Sequence, residues 1–218
     1  MVDVPAVLKA ILSSPPSRSD STLSSAWVQV LGNAMLAYHV TDPEACAAEA
    51  DKVWKSVWVF LESNDTSTRK AAAEALHLIS RCFSPISNTS AIQGTEIGPT
   101  GTESALGKII LETTKALDSL AFARSIPELL SVISSLISNL GSMESAISPP
   151  FEASPLWALI QRAGDLRIQK GFEYKEAADD TLAVAMRVIG AEALLRILPL
   201  NLEPSDRCVF NLYFDSCI

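Results

Sequence analysis

Between residues 126 and 140 the apolar side chains fall at Ile126, Leu129, Leu130, Ile133, Leu136, Ile137 and Leu140. The steps of three, one, three, three, one and three fit a 3.6-residue period and cannot be laid on a strand, whose faces alternate every second residue. Such a helix must bury its stripe against other elements, and the rest of the chain offers only more helices for that purpose. Leu23–Tyr38 carries Leu23, Trp27, Val30, Leu31, Ala34 and Tyr38 at the same spacing. Thr41-Asp42-Pro43 then reads as a stop, an N-cap and a proline at the first helical position. A helix over about 43–62 follows, with Val53, Val57, Phe60 and Leu61 inward. Ser63-Asn64-Asp65 ends it and caps another over about 66–83.

Further helices are expected over about 103–121 (Leu106, Ile109, Ile110, Leu117 and Leu120 inward), 156–169, 174–189 and 191–197. Gly141 serves as a C-cap, Gly171 and Gly190 punctuate the last three, and Pro199 closes the series. Two Pro/Ser-rich stretches, about 84–102 and 142–155, interrupt the pattern and are expected to be mobile loops. Hydrophobic residues make up 48% of the chain and charged residues 19%, which excludes disorder as the general state. With nine glycines and no strand of any quality, the expectation is all-α. Helix pairs recurring about every 40 residues indicate a HEAT- or armadillo-like helical-repeat solenoid spanning residues 1–207, with a compact helical bundle as the alternative. Asp65-Thr-Ser-Thr-Arg69, followed by Ala73 and Leu76, matches the HEAT second helix, in which an Asp at the turn and an Arg at the helix start form a ladder between repeats.

Motifs for chemistry are weak. Gly101–Lys108 falls short of a phosphate-binding loop: five residues separate Gly101 from Gly107 where four are needed, and Ile109 stands where a magnesium-binding hydroxyl belongs. His39 suits the negative end of its helix, and His77 sits among packing residues. Asp179 and Asp180 point about 100° apart on a helix and read as a solvated face. Trp27, Trp54, Trp58 and Trp157 could anchor a partner, but core packing between repeats is the more frequent use. Cys46, Cys82, Cys208 and Cys217 show no CxxC spacing, so free thiols in a reducing compartment are expected, with Cys46 and Cys82 packed as small hydrophobes and no metal site. The N-terminus lacks the layout of a signal peptide, no stretch of about 18 uninterrupted apolar residues predicts a membrane span, and the sequons at Asn64 and Asn88 read as chance. No catalytic residue, cofactor or small-molecule substrate is expected.

The stretch Phe172–Pro204 is the most distinctive: Tyr174-Lys175-Glu176, a helix ending at Ile189-Gly190, a short helix over Glu192–Leu198, and the stop Leu198-Pro199-Leu200-Asn201. It resembles the ribosomal RNA-processing protein 12 family, large HEAT-repeat factors of the nucleolus, and the resemblance extends more loosely over residues 20–170. The resemblance implies a non-enzymatic scaffold in small-subunit rRNA processing and in nuclear export of pre-ribosomal particles. Pre-ribosomal proteins, pre-rRNA and nuclear transport factors are its implied partners, and the nucleus and nucleolus its location. A karyopherin-like transport adaptor or a vesicle-trafficking solenoid is the alternative, since fold alone does not fix function. Two departures stand against the resemblance: family members are several times longer, and the tail Cys208–Ile218 does not match. That tail is expected to be an exposed apolar segment.

The formal net charge is -8. Residues 1–150 carry 10 basic and 15 acidic side chains, and residues 151–218 carry 7 and 10. Neither part offers the clustered Lys and Arg that a phosphate backbone requires. The isolated chain is therefore expected to bind single- or double-stranded RNA more weakly than about 10⁻⁶ M at physiological salt. Fluorescence anisotropy with labelled RNA checks this, and tighter binding would reveal a basic site that the sequence hides.

Overall fold

A computed structural model describes residues 4–83, 105–141 and 155–198. The expected loops and the Cys208–Ile218 tail lie outside these residues almost entirely. Nine α-helices are present among the described residues: α1 Val4–Leu12, α2 Ser21–Thr41, α3 Pro43–Trp58, α4 Thr66–Ser80, α5 Ala105–Ala116, α6 Ile126–Gly141, α7 Pro155–Ile168, α8 Lys175–Ile189 and α9 Ala191–Ile197. Two 3₁₀ turns, Val59–Glu62 and Leu120–Ser125, lead into α4 and α6, and the described residues contain no strand.

The starts and stops follow local chemistry. Asp20, Asp42 and Asp65 accept from the backbone N–H three residues on, at Leu23, Ala45 and Thr68, and so satisfy an otherwise orphaned donor. Pro43 opens α3, where a missing N–H costs nothing. Gly190 closes α8 with φ +84°, a conformation that a Cβ disfavours.

The helices alternate between two layers. The even-numbered helices α2, α4, α6 and α8 pack side by side in that order, while the odd-numbered helices form the returns behind them. The inner layer is parallel and in register. Ser25 on α2 meets Thr68 on α4 across 43 residues, and Gly32 faces Ala75 at the same offset. His77–Ser135 and Ser80–Asn139 join α4 to α6 at offsets of 58 and 59, and Ser134–Thr181 joins α6 to α8 at 47. A constant offset is possible only between parallel helices in matching positions. The described residues thus form a stack of four helix pairs, α1/α2 to α7/α8, with α9 following.

A polar contact recurs at two of these junctions. Thr68 Oγ1 meets Ser25 Oγ at 3.2 Å and the Ser21 carbonyl oxygen at 3.3 Å. Thr181 Oγ1 meets Ser134 Oγ at 3.1 Å and the Leu130 carbonyl oxygen at 3.2 Å. In each case a serine four residues beyond a carbonyl, with that carbonyl, receives a threonine from the next inner helix. Both threonines are buried, so the contact satisfies a hydroxyl that burial would otherwise penalise.

The apolar core runs between the layers. Leu129, Leu130, Val132, Ile133, Leu136 and Ile137 are all fully buried, because α6 is flanked on both sides and backed by the outer layer. That position accounts for the apolar span Leu120–Asn139, long enough by length and composition to cross a membrane but 61% buried inside the protein. The four tryptophans also pack inside. Trp54 stacks on Trp58 at 6.1 Å, Trp58 reaches Phe122 of the next pair at 5.5 Å, and Trp27 contacts Phe60 at 5.6 Å, while Trp157 is partly buried against the core.

Three expectations need correction. The buried face of α2 is Ser24, Val28, Leu31, Gly32, Met35 and Tyr38, while Leu23 and Val30 are 54% and 50% exposed. Gly32 lets Ala75 of α4 approach closely, which turns the helix about one position from where hydrophobicity alone puts it. Leu120 is 93% exposed because α5 stops at Ala116 and the chain turns into the 3₁₀ segment. Asp179 is not merely solvated: it pairs with Arg167 of α7 at 2.5 Å.

A Cβ added to Gly32 would lie 2.9 Å from the Ala75 Cα, a backbone atom that cannot rotate away. Gly32→Ala gains about 1 kcal/mol of helix propensity but meets an overpacking cost of about 1–3 kcal/mol. The expected outcome is a net loss of up to about 2 kcal/mol in urea unfolding, whereas an open helical glycine would gain stability from the same change.

Candidate functional site

The junction of α4 and α6 concentrates buried polar chemistry. Asp65 caps α4 and also accepts from the Ser67 and Thr68 hydroxyls; these bonds, and then the charge of Arg69, hold its carboxyl below the ordinary range. Arg69 donates from Nη1 to the carbonyl oxygens of Ser63 and Asn64 at 3.0 and 3.1 Å, and from Nη2 to Thr66 Oγ1 at 3.1 Å. Its Nε lies 3.5 Å from Glu128 Oε1 on α6, and both side chains are less than a tenth exposed. The inter-repeat rung is therefore Arg69–Glu128. Asp65, expected to take that role, is occupied at the start of its own helix. The same turn is held from the next pair by Ser125 Oγ, which donates to the Leu61 carbonyl, and by Arg124, which donates to Asn64 Oδ1 at 2.5 Å.

Higher up the junction, Arg81 Nη2 lies 3.2 Å from His77 Nε2, and Ser135 Oγ lies 2.6 Å from His77 Nδ1. A guanidinium only donates, so Nε2 accepts and Nδ1 carries the proton toward Ser135. Ser135 in turn donates to the Ser131 carbonyl at 3.0 Å. Burial and then the Arg81 charge hold the His77 pKa below its ordinary value, consistent with this neutral tautomer. With both ring nitrogens engaged, His77 orders the junction.

Beside it opens a groove of about 550 Å³ lined by Lys70, Glu74, His77, Leu78, Pro127, Glu128 and Ser131. It is a shallow feature between two inner helices, with a lysine and two glutamates at its walls.

The described residues contain one grouping with the donors of a metal site. His39, Cys46 and Cys82 present a ring nitrogen and two sulfurs within 4.8 Å of one another. His39 stands in the last turn of α2, Cys46 in the first turns of α3, and Cys82 just past α4. Both thiols are fully buried and donate to the Met35 carbonyl oxygen, at 3.4 and 3.6 Å. The neighbouring Cys82 thiol draws the Cys46 pKa down, against burial and the Asp42 charge, while Cys46 and burial push Cys82 well up. Linear spacing hides this grouping, because the donors come from three helix ends. The one legible trace is His39 and Cys46, seven residues apart on either side of a tight helical turn.

The comparisons with known proteins bear on what this stack is. Residues 62–211 match the family model for ribosomal RNA-processing protein 12, HEAT repeats. The chain belongs to that family. It is also 28% identical over 192 residues to ribosomal RNA-processing protein 12 of Schizosaccharomyces pombe, covering 88% of this chain and 15% of that relative. No solved structure matches. The family match begins at the turn before α4 and includes both the Arg69–Glu128 rung and the Phe172–Pro204 block.

Removing one member of a buried ion pair leaves the other charge unpaired, at a cost of about 3–5 kcal/mol, whereas replacing both with apolar side chains is often neutral. Arg69→Met is thus expected to lower stability by at least about 3 kcal/mol, since it also strands the Ser63 and Asn64 carbonyls. Glu128→Leu added to it should recover part of that loss. Chemical denaturation of both variants checks this, and simple additivity of the two changes would refute the coupling.

Proposed function

We propose that the chain is one stretch of a non-enzymatic helical scaffold acting in ribosome biogenesis, in small-subunit rRNA processing and in export of pre-ribosomal particles from the nucleolus and nucleus. The family match over residues 62–211 carries this reading. The fission-yeast relative, by name a ribosomal RNA-processing protein, supports it. The chain spans about 15% of that relative's length.

The physical basis is the stack itself. A row of parallel inner helices presents a continuous surface on which proteins can be held by shape rather than by a reaction. The acidic balance of the chain argues that its direct partners are pre-ribosomal proteins and transport factors more than the RNA backbone. A transport or trafficking adaptor is the second reading, favoured only by the solenoid fold.

The two readings separate by what the intact protein travels with and what its groove touches. Amine-reactive crosslinking in cells, with Lys70 in the α4–α6 groove as a reporter, is expected to recover pre-ribosomal proteins, and the intact protein should co-sediment with pre-ribosomal particles. Recovery of vesicle-coat or import-cargo proteins, with sedimentation apart from those particles, would replace the first reading by the second.

A further inference from the structure

Of His39, Cys46 and Cys82, the first two precede the family match over 62–211, and Cys82 falls inside it. Their grouping is not required by packing. A core cysteine needs only apolar neighbours, and an imidazole at a helix end needs only solvent or a carbonyl. Here the Nδ1 of His39 is buried and has no hydrogen-bond partner. A buried acceptor left unmade costs stability, and native proteins seldom tolerate one without a reason.

We propose that His39, Cys46 and Cys82 form a zinc-class metal site that ties the end of α2 to the start of α3 and the end of α4. Two thiolates and one imidazole are a soft donor set that selects zinc over magnesium or calcium. In a tetrahedral zinc centre with ordinary bond lengths the donors stand about 3.6–3.8 Å apart. The three atoms already lie within 4.8 Å, so side-chain rotation of about 1 Å closes the set. The His39 imidazole becomes a ligand through the lone pair of one ring nitrogen, leaving the ring proton on the other. The two thiols give up their protons, so that one Zn²⁺ is bound and two H⁺ are released. The Met35 carbonyl, which now accepts from both thiols, is freed by the same event. Three protein donors leave the fourth position to solvent. The site bridges the first two helix pairs, where its effect is to fix the angle between them.

The test uses the 218-residue chain, reduced and stripped of metal, titrated with zinc against a chromogenic chelator and, separately, with cobalt as a spectroscopic stand-in. One equivalent of zinc is expected, with cobalt giving thiolate charge-transfer absorption and tetrahedral ligand-field bands. Cys208→Ser with Cys217→Ser should keep the full equivalent. Cys46→Ser and Cys82→Ser should lose it, and His39→Ala, at a half-buried helix end, should weaken affinity at least tenfold. Zinc, but not magnesium, should also raise the melting temperature of the unaltered chain, since a ligand that binds only the folded form stabilises it by mass action. That measurement stands even if a cysteine variant fails to fold. The proposal is overturned if the reduced, helical chain takes up no zinc, if His39→Ala binds as tightly as the unaltered chain, or if uptake vanishes with Cys208 and Cys217.

Discussion

The Arg69 guanidinium is the group on which the most structure converges. It holds two carbonyls of the turn before α4, a hydroxyl of the first turn of α4, and the Glu128 carboxylate of the next inner helix. A planar, permanently charged fork can satisfy several acceptors at once, which an ammonium on a flexible stem does less well. Buried as it is, the group is unfavourable unless all of those partners are in position. It therefore penalises any placement of α6 that shifts the register against α4, and it joins the geometry of a turn to the geometry of the stack.

Around this rung, the inner helices are held by a seam of small polar side chains: Ser25 with Thr68, His77 with Ser135, Ser80 with Asn139, Ser134 with Thr181. Apolar burial supplies the bulk of the driving force, since it is non-directional and scales with area. The seam supplies direction. A parallel helix sliding by one turn along its neighbour would keep much of its apolar contact but would strand these hydroxyls, so the polar pairs select one register among several that are nearly equal in hydrophobic terms.

Helix positions were largely legible from periodicity and caps. Asp42-Pro43, Asp65 and Gly190 act at the chain positions where the pattern puts them, and α9 runs over the expected Ala191–Ile197. The α1 helix passed unread because Val4–Leu12 is too short to display a period and no glycine brackets it as Gly190 brackets α9. The inward face of α2 was misread because hydrophobicity records which residues avoid water, and not which are small enough to admit a neighbour; Gly32 carries that second kind of information. The Arg69–Glu128 rung and the His39–Cys46–Cys82 grouping were out of reach for a different reason. Their members are brought together by the pairing of helices across tens of residues, and spacing along a single helix contains no record of that pairing.

The constant offsets between inner helices have a mechanical meaning. Each helix pair touches the pairs before and after it and little else, so α2 and α8 communicate only through α4 and α6. A chain organised in this way bends as a row of coupled plates, with the total curvature set by the sum of small rotations at each seam. Stiffening one seam straightens or curves the surface far from it without any contact at the distant end, and loosening the α4–α6 seam would leave two short rigid blocks joined by a hinge.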